Sequence, residues 1–577
     1  MVTTNIQVAG LDSYQPALDY KKSGRVAVLS GKNFAWDASG VYAAYASRLV
    51  DSNVSIGLAP TIAQTLDLED LVHVAMENKI WQLNPTSEES PLGNWELVTT
   101  LAPLVNADFD VIPYDYRKWS TAYLGKKRYA CAYNFGVHRV TPGEPPTYFR
   151  LNQGNTVGFP DDSDPVIAIA ETNGRLCFMT STTFYWSAAN APENLVPAVG
   201  GPGFQVIGEK IAGTPVAMMP TSIGVIIWTT TGALVCEFVG GSTVFRYWTL
   251  VTEALPISSF SITRMSDDTY AVLTRLGLFQ VVNMGQPQIM TGIFNEFLRE
   301  YLRTRIAEKG HIWYSVNDNR LYVSFRSGRS AFNETYALDL AVDKWGIFSE
   351  QHLGFFNYGV GRGQLSYVNT RGVASYLLSS IDIRKSKENP LNPGTFTGLG
   401  SEIVIGWLRA EDLLGHADVT QESVEILVSR STPFNTVSVT TVDEGFVTSP
   451  GADIFDEGMV NSAGGVYVAS DYVDDDYVLD TNPEAIIYVD EGLVSEQDEV
   501  INYRLQLITD IFRPELGQDT EEMNLYPTLV RQDQHSDLWV GCVPAIYHRM
   551  RFIATEPNEF FRVNTIDFTV TYTGNLS

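Results

Sequence analysis

Short apolar strands, each introduced by a polar or glycine turn, recur along the first two thirds of this chain. They read "GKNFAWDA", "ENKIWQLN", "KKRYACAYN", "NGRLCFMT", "TGALVCEF", "RLGLFQVV" and "DNRLYVSF". Their matching apolar positions are Phe34, Ile80, Tyr129, Leu176, Leu234, Leu278 and Leu321, spaced by 46, 49, 47, 58, 44 and 43 residues. An eighth, Leu365 in "RGQLSYVN", follows 44 residues later. A unit of about 40–50 residues holding about four short strands has the size of a β-propeller blade. One four-stranded sheet cannot bury both of its faces alone, so it stacks on neighbours, and closing the ring leaves only short edges. The spacing predicts an all-β chain whose residues 24–384 form a β-propeller-like array of six to eight blades. Another all-β array or a sandwich is the competing reading.

The stretch "NETYALDLAVDKWGIFSE" (333–350) shows the unit in detail. Tyr336, Leu338 and Leu340 alternate with polar or small residues, a short turn follows, and Trp345 opens a second alternating run. It reads as a hairpin of about the seventh unit, with Asp339 capping the turn and Trp345 packing blade on blade. One segment breaks the pattern: "IFNEFLREYLRTRIAEKG" (293–310) places apolar residues at helical spacing and predicts an inserted amphipathic helix. A polar Pro/Gly-rich run over 385–400 reads as a linker. Residues 1–23 read as an N-terminal extension, and 401–577 as a second, β-sandwich-like domain with an acidic insertion at 441–500. Length agrees, because 577 residues exceed one ordinary domain.

Net charge is −28, which argues against tight non-specific DNA binding. Residues 441–500 hold 16 Asp or Glu and no Lys or Arg, with three Asp-Glu-Gly triplets at 443–445, 456–458 and 490–492. Calcium coordination, a charged partner surface, a repulsive channel wall and a solvated hairpin face all fit that composition. Calcium needs six to eight converging oxygens, and no stretch has the loop spacing, although Asp474, Asp475 and Asp476 form a looser candidate. No metal or cofactor is therefore expected. The cysteines at 131, 177, 236 and 542 form no C-x-x-C pair, which predicts buried free thiols and synthesis in a reducing cytosol. No apolar run reaches the roughly 18 residues of a membrane span, and "MVTTNIQVAG" lacks signal-peptide character.

Catalytic constellations are missing as well. There is no G-x-x-x-x-G-K-[ST], G-x-S-x-G or H-E-x-x-H, and the histidines at 73, 138, 311, 352, 416, 535 and 548 share no metal-ligand spacing. Paired carboxylates for glycoside hydrolysis stay open among 67 acidic residues, but the S-x-D-x-G-x-x-W turn of sialidase-type propellers is absent. The expectation is a protein that is not an enzyme, with no catalytic, cofactor-binding or metal residue.

"VIAIAETNGRLCFMTSTTFYWSAANAPENL" (166–195), with its Tyr-Trp-Ser step and Pro-Glu-Asn turn, resembles the propeller region of tail proteins from short-tailed bacteriophages. "GVIIWTTTGALVCEFVGG" (224–241), the helix at 293–310 and "NRLYVSFRSGRSAFNETYALDLAVDKWGIFS" (319–349) follow the element order of those tail tube or nozzle proteins. "GRVAVLSGKNFAWDASGVYAAYASRLV" (24–50) is similar to phage virion sequence too. The resemblance covers about residues 24–380. It implies a structural virion protein: a homo-oligomeric, hexameric ring joined to the head-tail connector or adaptor above, to fibres or spikes at the side and to a plug or needle below. It implies DNA passing through without specific binding, synthesis in the host cytoplasm and residence in the virion tail. A propeller that recognises protein or glycan, and a propeller glycan hydrolase, are the alternatives.

Overall fold

The computed structural model describes residues 2–11, 25–44 and, with internal gaps, 64–151, 158–290, 310–409, 421–487 and 503–572. Seven antiparallel meanders follow one another from Gln64 to Tyr376. Their first strands are Gln64–Leu68, Ser120–Leu124, Ala168–Thr172, Pro215–Thr221, Ile262–Ser266, Gly310–Ser315 and His352–Tyr358. With starts at 120, 168, 215, 262 and 310, the middle units repeat every 47 or 48 residues. The first six meanders have four strands each; the seventh has three described strands, ending at Ala374–Tyr376. The first strand of the seventh packs against the first strand of the first, which closes the ring. The array expected from the spacing is therefore a seven-bladed β-propeller.

Alternation explains why its central strands read as unbroken apolar runs. In Gly224–Thr229, Val225 and Ile227 face blade 3 and share a core with Cys177, Met179 and Phe184. Ile226 and Trp228 point the other way and share a core with Tyr270 and Val272 of blade 5. Among the described residues, the six junctions from blades 1–2 to blades 6–7 each have a buried cluster of this kind, and burial on both faces removes the polar alternation of a half-exposed sheet. The turns are equally specified: Asn173 and Gly174 both have positive φ (50° and 69°), as a two-residue type I′ hairpin requires.

The equivalence read from the sequence mixes two strands. Tyr129, Leu176, Leu321 and Leu365 lie on second strands, whereas Ile80, Leu234 and Leu278 lie on third strands. Both central strands follow a turn and are buried on both faces, so they look alike in sequence. Phe34 belongs to no blade of its own. The 333–350 hairpin pairs Tyr336 with Ile347 and Leu338 with Trp345, and it forms the third and fourth strands of blade 6.

The second domain is one ten-stranded sheet. Its order is Met523–Leu525, Arg504–Asp510, Tyr547–Ala554, Ser401–Arg409, Arg25–Lys32, Val2–Leu11, Thr565–Tyr572, Gln421–Ser429, Ser536–Gly541 and Thr528–Gln532. The two end strands are separated in the chain only by Tyr526 and Pro527, so the sheet curls into a barrel-like shell. One core fills it, with Ile6, Val28, Ile405, Ile426, Leu507, Phe552 and Phe568 contributed by successive strands. The expected sandwich-like domain is thus built from a single sheet curled on itself.

Two expected boundaries change. The N-terminal extension 1–23 and the propeller start at 24 give way to strands 2–11 and 25–32, which lie in the middle of the barrel sheet. The propeller is an insertion between barrel strands. The expected linker 385–400 contains a paired hairpin, Ser386–Glu388 with Phe396–Gly398. The two domains also share a sheet. Ile347 on the outer strand of blade 6 pairs with Phe34 in Phe34–Asp37, which pairs with Gly40–Ala43, which pairs with Arg562–Val563.

The helix expected over 293–310 lies outside the described residues except for Gly310, which opens a strand. In the acidic insertion, Thr440–Val442 pairs with Phe446–Thr448 on either side of the 443–445 triplet; Asp474, Asp475 and Asp476 lie outside the described residues.

Ile6 is fully buried in the barrel core. Ile6→Ala should cost about 2–5 kcal/mol of barrel stability, read as a lower urea midpoint. A dispensable extension would leave that midpoint where it is.

Candidate functional site

Three polar clusters stand out. The first lies between blades 2 and 3. The 124–127 turn of blade 2 and the 190–194 loop of blade 3 enclose an open groove of about 680 Å³, lined by Leu124, Gly125, Lys127, Asn190, Pro192, Glu193 and others. Glu193 is its centre. Its carboxylate accepts hydrogen bonds from Lys127 Nζ (2.9 Å), from Arg139 Nη1 to both oxygens (3.1 Å each) and from the Tyr129 hydroxyl (3.2 Å). Strand pairing sets Tyr129 directly opposite Arg139, and alternation puts Lys127 on the same face. Burial pushes the Glu193 carboxyl up, but hydrogen bonds from Lys127 and Arg139, and their charges, outweigh it and hold the pKa below the ordinary value. Burial, with Glu193 beside it, raises the Tyr129 phenol.

The second cluster joins the domains. Arg320 Nη2 donates to the Trp36 carbonyl and the Tyr42 hydroxyl, both at 2.8 Å, and Arg320 Nε donates to Asp339 at 3.2 Å. Asp339 also accepts from the Ala341 N–H (3.0 Å), which is the turn-capping role the sequence suggests. The Trp36 indole donates to the Trp345 carbonyl (2.7 Å), and Lys344 lies over the Trp36 ring at 4.2 Å. Trp345 itself packs in the core between blades 5 and 6, as blade-on-blade packing requires.

The third cluster crosses the propeller. Lys118 precedes the first strand of blade 2, yet its Nζ donates to the carbonyls of Ser259 (3.0 Å) and Ile262 (3.2 Å), where blade 5 begins. Blades 3 and 4 lie between those strands, so the ammonium bridges the ring. Phe260 beside it stacks on His311 of blade 6, with centroids 4.2 Å apart.

The histidines whose side chains are described, His73, His138, His311 and His352, are buried. His352 is fully buried, with Nε2 2.9 Å from Thr335 Oγ1, and burial lowers its pKa to about 3. His73, bonded to Gln82, and His138, bonded to the Phe135 carbonyl, are lowered to about 4, chiefly by burial. Cys131, Cys177 and Cys236 are buried free thiols; Cys542, His416 and His535 lie outside the described residues. Among the described residues, no group of three His, Cys, Asp or Glu could hold a metal, and no helix is long and apolar enough to cross a membrane. The sequence marks Pro192-Glu193-Asn194 only as a turn, and nothing in "RKWS" marks Lys118, because their partners lie 54 to 144 residues away.

This fold defines the chain as a β-propeller protein carrying a second β domain. No family model matches it, and no curated protein matches it in sequence. Solved structures similar to it include PorZ, a surface component of the type-IX secretion system of Porphyromonas gingivalis, at TM-score 0.32 and 9% identity over 61% of this chain. The match spans 45% of PorZ. The β-propeller domain of Cps50 (Swd1) from Myceliophteria thermophila is similar at TM-score 0.30 and 8% identity, over 61% of this chain and 99% of that one. The N-terminal domain of Nup159 gives 0.31 and 10%, over 61% and 97%.

Lys118 yields a pH prediction. Burial lowers its pKa from the ordinary lysine value to about 8. Above that value the unfolded chain still holds a proton that the folded chain has released, so stability rises with pH up to the ordinary lysine range. Lys118→Met removes this titration. Wild-type stability relative to the variant should increase between about pH 7.5 and about pH 9.5 in urea denaturation. A difference that ignores pH would rule the effect out.

Proposed function

We propose that this chain is a structural virion protein of a short-tailed bacteriophage, a subunit of the ring that forms the distal tail tube, or nozzle. The observation that carries this reading is the sheet shared by blade 6 and the barrel domain. Domains tethered by a flexible linker move relative to one another by default. Here backbone hydrogen bonds and the Arg320 contacts fix the propeller on the barrel, which suits a subunit that transmits load along a tube.

Two features support the reading. Lys118 bridges the propeller ring, so the conduit for DNA belongs between subunits and not along a propeller axis. A chain of net charge −28 also gives phosphates few cationic contacts, so DNA slides without specific binding. The partners are then further copies of the chain, six in a ring, with the connector above, fibres or spikes at the side and a plug or needle below. The chain is made in the host cytoplasm and works in the virion tail, with no catalytic step.

A propeller that binds protein or glycan is the second reading. Exposed apolar side chains favour it: Val199 (91% exposed), Val196 and Val239 lie on adjoining loops of blades 3 and 4, where Gly200 approaches Gly241 closely.

Negative-stain imaging of the chain, mixed with the connector encoded in the same genome, separates the two. The nozzle reading expects a further ring stacked on the connector at fixed stoichiometry. Persistent monomers across salt and pH, with no added density, would sink it.

A further inference from the structure

We propose that the groove between blades 2 and 3 is a carboxylate-docking site whose occupant is the acidic segment 441–500 of a second copy of this chain. Charge is distributed unevenly enough to need an explanation. Residues 117–151, which span blade 2, hold seven Lys or Arg and one acidic residue in a chain of net charge −28. Residues 441–500 hold 16 acidic residues and no basic one. Copies of so acidic a chain repel one another unless oppositely charged surfaces meet.

The groove already binds a carboxylate. Glu193 sits in it with both oxygens on Arg139 and one on Lys127 and Tyr129. An ammonium has three N–H donors, and the Lys127 side chain is 49% exposed at the groove wall. Aspartates of an incoming loop can therefore join Glu193 at Lys127, or replace it.

The anchor point of the segment favours a second copy over the chain's own segment. The acidic segment belongs to the barrel, between strands Gln421–Ser429 and Arg504–Asp510, and the barrel is fixed to blade 6. In a ring of seven, blade 6 lies three blades from blade 2 and three from blade 3, on the opposite side of the propeller. A segment anchored on one side and an acceptor on the other allow a head-to-tail contact, the arrangement that closes a cyclic ring.

This deepens the nozzle reading and rests on it for the copy-to-copy geometry; the test works without ring assembly. A fluorescent peptide of residues 469–484 ("ASDYVDDDYVLDTNPE") is titrated with the full-length chain and followed by anisotropy at low ionic strength. Saturable binding is expected, weakened about tenfold by Lys127→Glu, which removes charge-assisted bonds and sets like charges together. Glu193→Gln, which removes the internal competitor, should tighten it, and a peptide with Asn at 474, 475 and 476 should bind more weakly. No saturable binding, or binding that ignores Lys127→Glu, overturns the site and leaves the ring reading standing. A connector that fails to template a ring while the peptide binds at Lys127 has the opposite meaning.

Discussion

A blade of this propeller is apolar on both faces, so none is stable without a neighbour on each side. That requirement organises the molecule. It makes the array close, with His352–Tyr358 against Gln64–Leu68, because an open array would leave two apolar faces in water. It also places polar side chains where nothing but protein can satisfy them. His352 is held neutral between Thr335 and its aromatic neighbours, and its lowered pKa records the cost of charging it there. Lys118 is the exception that keeps its charge near neutral pH, and it does so with two backbone carbonyls of the facing blade. The ring is thus closed around its circumference by apolar burial and across its middle by one ammonium.

Closure leaves the outer edge of every blade open, and blade 6 uses its edge to continue into the second domain. The ladder through Phe34 and Gly40–Ala43 would be a weak joint by itself, since only Ile347 and Phe34 are in register across it. Side chains reinforce it. Arg320 gathers the Trp36 carbonyl, the Tyr42 hydroxyl and Asp339; Asn33 accepts from the backbone and hydroxyl of Ser349. A fixed barrel on one side gives the propeller a direction. One side carries the barrel at blade 6, and the opposite side carries blade 2.

Much of the propeller is legible in the sequence, for a physical reason. Turn chemistry and double-sided burial repeat with each blade, so "NGRLCFM" and "TGALVCEF" announce strands through local residues alone. The 333–350 hairpin, with Asp339 capping and Trp345 buried, is readable for the same cause. Register is less so, because second and third strands share that pattern. Phe34 followed the pattern and yet belongs to the junction, since pairing with Ile347 is set by residues more than 300 positions away. The barrel hid its N-terminal strands similarly: "NIQV" and "RVAVL" alternate as any strand does, and nothing local says that their partners are Thr565–Tyr572 and Ser401–Arg409. The candidate groove fared alike. Glu193 is visible as part of a turn, but its cations come from the preceding blade, and a turn motif does not report a neighbour.

The insertion topology sets a problem of reach. Barrel strands 2–11 and 25–32 are made first but pair with strands that begin at residue 401. Bringing such distant segments together from an open chain has a large entropic cost. Propeller closure lowers it, because the two ends of the inserted chain are brought together. Each blade is built from local hairpins packed on its neighbours, and closure brings the chain back to where it began. Blade 6 then presents Lys344–Phe348 beside Phe34–Asp37, which holds the early barrel strands at the ring's edge. The contacts that fix the barrel on the propeller in the folded molecule also bring strands 25–32 and 401–409, far apart in sequence, to one edge of the ring.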